Sequence, residues 1–463
     1  MTLHVVEHTT PLPADADTVF AWHLRPGALE RLTPPWERVR VAARDPRGIV
    51  EGARVELRVG PGPFALPWAV RHEGIVPGRG FRDVQVAGPF ARWVHHHVIT
   101  PEGDGARLTE RIEFAPPLGA AGDLAAPLIR RRLERMLAYR GATLRADLAA
   151  HARAARQRGD ERPLHLVVTG ASGLVGSVLV PFLTTGGHRV TRLVRRTPGP
   201  GEARWDPARG TIDAAALEGV DAVIHLAGEN LAGGRWTEAR KRRLVESRTR
   251  STRLLAEALA RLAQPPAALV SVSAVGIYGD RGDEPLDETS APGADFLARL
   301  ALAWEAAAAP AAEAGIRVVH PRLGVVLTPA GGALAKLLLP FRLGAGGRLG
   351  DGRQWMSCLS IDDAIGILYE AAAGAALAGP VCAVAPAPLT NAEFTRALAR
   401  TLHRPALLPV PATALRLALG ELADAALLAS QRVLPHALAA AGYPFRHPTV
   451  PAALAHVLGT RTD

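Results

Sequence analysis

The chain reads as an α/β doubly wound domain with a small helical C-terminal cap, preceded by an α+β domain. Three observations carry this reading. From Leu164 onward, short apolar runs alternate with helical patterns, the rhythm of a parallel sheet. Before about residue 155 that rhythm is absent, and alternating strand patterns lead into one long helical pattern. A glycine-spaced turn, Gly170-Ala171-Ser172-Gly173-Leu174-Val175-Gly176, follows the first apolar run of the second part and precedes a helix.

The N-terminal elements come first. Val55, Leu57 and Val59 alternate with Arg54, Glu56 and Arg58, as a half-buried strand requires. Trp93 to Ile99 reads as a second strand, Gly103-Asp104-Gly105 as a turn, and Arg107 to Phe114 as a third strand. Leu124, Leu128, Ile129, Leu133, Met136, Leu137, Leu144 and Leu148 then recur near helical spacing. This element order, with the fragments Trp93-x-His95-x-His97 and Leu108-Thr109-Glu110-Arg111, resembles the START-like (SRPBCC, helix-grip) superfamily. The resemblance implies an apolar ligand held between sheet and helix. Glu110 shares a face with Leu108 and Ile112, which leaves it open between pointing into that cavity and partnering an arginine or histidine. His95 and His97 share a strand face, but no third ligand stands at a suggestive spacing. They read as satisfied strand histidines, and no metal is expected.

The polar run from His151 to Pro163 reads as helix end plus linker. The expected domains are 1–155, 163–408 and 409–463. In the second, His188 to Val194, Asp221 to Gly228, Ala268 to Ser273 and Ile316 to His320 read as strands, with helices between them. At the glycine turn, the backbone can approach a pyrophosphate while the following helix offers its N–H groups and positive dipole end. Arg195 and Arg196 fall where the next strand ends. A carboxylate there would bind the ribose 2′-hydroxyl of NAD; two arginines suit the 2′-phosphate of NADP. NADP is the expected cofactor, with NAD disfavoured.

The GxxGxxG spacing resembles the short-chain dehydrogenase/reductase superfamily, a Rossmann fold. By that resemblance, the backbone of Leu226-Ala227-Gly228 passes under the cofactor. Ser271-Val272-Ser273-Ala274-Val275-Gly276-Ile277-Tyr278-Gly279 is similar to the Ser-Ser-x-x-x-Tyr-Gly stretch of extended members and sugar-nucleotide epimerases. It makes Ser273 the candidate to hydrogen-bond a substrate carbonyl. Tyr278 stands open between proton donor and packing residue. The superfamily's Tyr-x-x-x-Lys pair is missing. The four tyrosines, Tyr139, Tyr278, Tyr369 and Tyr443, are followed four positions on by Thr143, Gly282, Ala373 and His447, and Lys241 and Lys336 are the lysines. A phenol acidified by a neighbouring ammonium is therefore unavailable.

Further stretches sharpen the match: Gly233-Gly234-Arg235-Trp236, Trp304-Glu305, Pro321-Arg322-Leu323-Gly324, Gly350-Asp351-Gly352-Arg353-Gln354-Trp355, Ile361-Asp362-Asp363 and Ser430-Gln431-Arg432. Over roughly 163–463, the chain resembles an atypical, epimerase-like family of NAD(P)-binding short-chain dehydrogenases with a C-terminal domain of unknown function. The resemblance implies that Arg322 contacts the cofactor, that Glu229 lies beside it, and that the missing catalytic pair is normal.

Composition limits the rest. The net charge is +10, with Arg240-Lys241-Arg242-Arg243 and Arg248, Arg250 and Arg253 as its densest segment. That segment reads as a solvated helix face, since no nucleic-acid-binding signature accompanies it. Two cysteines give no disulfide framework, which fits a cytoplasmic protein. No signal peptide is read at the N-terminus, and no apolar stretch is long enough to insert in a membrane. The expected function is an NADP-dependent oxidoreductase or epimerase acting on a small carbonyl or hydroxyl substrate. The alternative is a non-catalytic NADP(H) sensor or carrier with an apolar ligand in its N-terminal domain.

Overall fold

In the computed structural model, which describes residues 2–460, the alternating segments of the N-terminal part form one antiparallel sheet. Its strands are β1 (His4–Leu12), β2 (Val39–Arg44), β3 (Arg54–Val59), β4 (Leu66–Val76), β5 (Gly80–Ala87), β6 (Arg92–Glu102) and β7 (Gly105–Ala115). They lie in the order β1-β7-β6-β5-β4-β3-β2. Period-two alternation puts one side-chain set on the inner face, where the helix Ala126–Arg158 supplies the other half of the core. Leu133 and Leu137 pack with Val6, Trp93, Ile112 and Phe114. Leu144 and Leu148 pack with Val19, Phe20, Trp22, Ile99 and Leu108. Each such side chain contributes about 1.5–3 kcal/mol by leaving water. Toward the other end of the sheet, a cavity of about 730 Å³ opens among Leu57, Val70, Trp93, Leu133 and Met136. This compact unit holds Met1–Arg153 together with Pro181–Gly187.

The second unit holds Ala154–Val180 and His188–Asp463. Its main sheet is built on β8 (His165–Thr169), β9 (Arg189–Val194), β10 (Glu202–Asp206), β11 (Thr211–Ile212), β12 (Ala222–His225), β13 (Ala268–Ser271) and β14 (Ser273–Ala274). After a short strand, β15 (Pro285–Leu286), the sheet is completed by β16 (Arg317–Leu323) and a last strand, Gly379–Ala383. The order runs β11-β10-β9-β8-β12-β13-β16, with β14 and Gly379–Ala383 also on β16. All pairings except β10 with β11 are parallel. Strands β12 and β13 are buried along their full length, as doubly wound sheets demand. Leu255 and Leu259 of the helix Glu238–Ala260 pack against Val223 and Leu269. The strand order reverses between β8 and β12, and ligands of such sheets bind outside the strand ends at that point.

The C-terminal segment is helical and folds within the second unit. Arg432–Val433 pairs with β15, and Leu454, Val457 and Leu458 pack on Phe394 and Leu398. Asp363 fixes it further: its carboxylate accepts from the backbone N–H of Arg446 (2.7 Å) and His447 (3.1 Å) and from the Ser360 hydroxyl. One basic residue departs from the expected solvated face. Arg248 is buried, with its guanidinium over Trp304 and a hydrogen bond to the Glu229 carbonyl. No helix among the described residues is long and apolar enough to cross a membrane.

Candidate functional site

The ends of β8 and β12 meet under the glycine turn. Gly170 has φ +66°, and a Cβ there would sit 2.9 Å from the Leu226 carbonyl carbon. A Cβ on Gly176 would sit 2.3 Å from the Gly170 oxygen. Glycine is therefore required for the turn to close onto the Leu226-Ala227-Gly228 backbone. A Cβ on Gly173 would meet only the Gly170 oxygen, at 3.1 Å, and otherwise open space. The helix Gly176–Thr185 begins directly after, and the N–H groups of Ser177, Val178 and Leu179 donate to the Gly173 and Val175 carbonyls of the turn. Ala171, Ser172, Leu174 and Val175 belong to this same turn.

Below the turn lies a polar network that the sequence did not reveal. The Thr169 hydroxyl oxygen accepts from the backbone N–H of Leu226 (3.1 Å) and Ala227 (3.2 Å). Both lone pairs are thus used, and its own proton points to Nδ1 of His225 at 2.7 Å. This assigns the His225 proton to Nε2, which faces the Thr252 hydroxyl at 3.0 Å. Thr252 also accepts from the Trp304 indole. Burial pushes the His225 pKa down to about 3, so the ring is neutral. Local pattern reading sees an apolar strand here and cannot see that its one imidazole is satisfied at both ring nitrogens.

The charged residues named from the sequence differ in what they touch. Arg195 is exposed past the end of β9 and has no ion pair among the described residues. Arg196 is also exposed but donates to Glu202 at 2.6 Å. Glu229 lies between Arg240 (3.4 Å) and Arg243 (3.9 Å).

The strand expected over Ala268–Ser273 breaks after Ser271, and Ser273 opens the short strand β14, register-paired with Arg322 on β16. It is buried, and its hydroxyl has no hydrogen-bond partner; Ser271 shares this condition. Buried hydroxyls rarely go unpaired, so each such group asks for a ligand or water.

Tyr278 is packed into the core and hydrogen-bonded. Its ring is fully buried, and its hydroxyl donates to the Asp287 carbonyl (2.8 Å) and accepts from Arg322 (2.9 Å). Burial and the neighbouring Cys382 thiol raise its pKa above the ordinary phenol range. The phenol proton is engaged with the Asp287 carbonyl in this arrangement. Arg322 is engaged as well: it forms a bidentate pair with Glu305 (2.9 and 3.0 Å) and donates to the Glu288 carbonyl. Four of the five Arg322 N–H groups are thus taken, leaving one Nη2 hydrogen for the cofactor contact that the resemblance implies. Glu305 was visible in the sequence only as part of the Trp304-Glu305 stretch.

Residues 166–379 match the model of the NAD dependent epimerase/dehydratase family. An epimerase family protein of Mycobacterium bovis is 45% identical over 292 residues, covering 63% of this chain and 96% of that relative. The chain belongs to the epimerase family. The human member, epimerase family protein SDR39U1, is 38% identical over 299 residues, covering 64% of this chain and all of that one. Its isoform 2 structure, solved with NADPH, gives a TM-score of 0.59 at 37% identity over 64% of this chain and 99% of that chain. A structure described as a nucleoside-diphosphate sugar epimerase from Corynebacterium glutamicum covers 98% of this epimerase-family chain and 90% of its own, at 35% identity and TM-score 0.81. Residues 410–457 match a domain of unknown function, and residues 12–139 match the polyketide cyclase/dehydrase and lipid transport family. The sequence resemblances to an atypical short-chain dehydrogenase and to an SRPBCC domain are thereby confirmed.

Proposed function

We propose that the second unit binds NADP(H) at the Gly170–Gly176 turn and acts as an oxidoreductase or epimerase on a small carbonyl or hydroxyl substrate. The observation that carries this is the Ser273 hydroxyl, which is buried and unpartnered just past the C-terminal end of β13.

The residues fit the cofactor. The open space at Gly173 admits close backbone approach, and the following helix start favours a pyrophosphate. Leu226, Ala227 and Gly228 would lie beneath the dinucleotide. Arg195 would meet the 2′-phosphate, with Arg196 shared between it and Glu202. The NADPH in the human relative's structure supports this choice. When bound, the dinucleotide supplies or takes up hydride.

Ser273 would donate its hydrogen bond to the substrate oxygen and favour the charge that develops there. Tyr278, Arg322 and Glu305 hold the loop after Ser273 in place. With no Tyr-x-x-x-Lys pair, water is the proton source in this reading. Ser273→Ala tests it: turnover should fall about 10²–10³-fold while cofactor affinity stays within about twofold. Unchanged turnover would remove Ser273 from the mechanism.

One observation favours a second reading, a non-catalytic NADP(H) sensor or carrier. Neither lysine is placed to acidify a phenol: Lys241 pairs with Glu421 and Glu238, and Lys336 reaches the Ala232 carbonyl. In either reading the N-terminal cavity would take an apolar ligand. Two buried free thiols, Cys358 and Cys382, suit the reducing cytoplasm.

A further inference from the structure

The cavity of the first unit joins an apolar wall to a cluster of histidines around one aspartate. Cross-strand register builds the cluster. His72 on β4 pairs with Asp83 on β5, and Asp83 pairs with His95 on β6. One step along, His97 pairs with Glu110 on β7. His72, Asp83, His95 and His97 all line the cavity.

We propose that Asp83, His95 and His97 form a two-histidine, one-carboxylate site for a divalent first-row transition ion, open toward the apolar cavity. One ligand atom from each lies within 4.8 Å of the others. Atoms bound to one ion at about 2.1 Å lie up to about 4.2 Å apart, so small side-chain rotations close the site.

Two further features point the same way. Nε2 of His95 and both ring nitrogens of His97 are more than nine-tenths buried and make no well-directed hydrogen bond, although Nε2 of His95 lies 3.2 Å from Glu110 Oε1 and Nε2 of His97 lies 3.5 Å from Asp83 Oδ2.

Glu110, the neighbouring carboxylate, has its cation in Arg140 at 2.7 Å, whereas Asp83 faces His72 and His97. Second, His72 Nδ1 lies 2.6 Å from Asp83 Oδ1, the placement of an outer residue that orients a ligating carboxylate. Two imidazoles with one carboxylate suit zinc, iron(II), cobalt(II) or nickel(II) over magnesium or calcium. Three protein ligands leave positions for a donor atom of whatever enters the cavity.

Another cluster, Asp362, His447 and His456, has the guanidinium of Arg446 3.9 Å from Asp362, a cation already in place. It serves as the control.

The test is titration of chelator-treated full-length protein with cobalt(II), read by visible d–d absorption and equilibrium dialysis, with circular dichroism to check folding. The expected result is one tightly bound equivalent, lost in His95→Ala and His97→Ala and kept in His456→Ala. Asp83→Asn, nearly the same shape, should lose it while staying folded. His72→Ala should weaken it about 10–100-fold. Absence of a bound equivalent in the folded wild-type protein would overturn the site. So would retention in His95→Ala, or loss in His456→Ala.

Discussion

The Tyr278 hydroxyl lies 2.9 Å from Nη1 of Arg322, while Glu305 grips the other edge of the same guanidinium. The tyrosine nearest the motif expected to do chemistry is thus spent on holding an arginine. Tyr278→Phe should leave NADPH affinity unchanged and cost about 1–3 kcal/mol, the price of an arginine donor left with a weaker partner. Denaturant unfolding measures the cost. A complete loss of turnover at unchanged stability would restore the proton-donor role.

Glu305→Ala should cost more. Burial works against the Arg322 charge, and the paired carboxylate outweighs it, keeping the guanidinium protonated. Removing that carboxylate leaves a largely buried cation alone, a loss of about 3–5 kcal/mol. Glu305→Gln should recover part of it by keeping one hydrogen bond. Equal stability of wild type and Glu305→Ala in chemical denaturation would contradict this.

His225 gives a pH dependence with a definite sign. Its folded pKa is about 3, against 6.5 when unfolded. Between these values the unfolded chain binds the proton and the folded chain does not, so stability falls as pH drops from about 6.5 toward 3. His23, His97 and His447, each near 4 from burial, add in the same direction. Melting temperature measured across pH 7 to 4 should decline, and His225→Gln should make that decline shallower. An identical slope in the variant would exclude His225 as a contributor.

Gly170→Ala places a Cβ against the Leu226 backbone at φ +66°. It should lower both stability and NADPH affinity. Gly173→Ala meets little protein and should lower affinity with a far smaller loss of stability. Thermal melts with and without NADPH separate the two. Equal stability losses at both positions would argue that the space at Gly173 is not reserved for a ligand.

What the sequence made legible is what is local in the chain. The glycine turn and the Arg195-Arg196 pair are contiguous patterns, and they follow the ends of β8 and β9; the strand expected to run through Ser273 breaks after Ser271. The long helix was readable from the spacing of Leu133, Leu137, Leu144 and Leu148. What escaped depends on partners distant in sequence. Glu305 meets Arg322 across 17 positions, and Thr169 meets His225 across 56. Asp83 reaches His95 and His97 only through the register of two antiparallel strands, so no spacing rule along the chain could supply the third ligand. Tyr278 was visible, but its role turned on the Asp287 carbonyl and on a strand, β16, well downstream.

The most direct measurement is calorimetric titration of the purified protein with NADPH and with NADH, repeated on Arg195→Ala. The account predicts one NADPH bound per chain, NADH at least about tenfold weaker, and loss of that preference in the variant with NADH affinity unchanged. Failure of both nucleotides to bind, or equal affinity for the two in the wild-type protein, would contradict it.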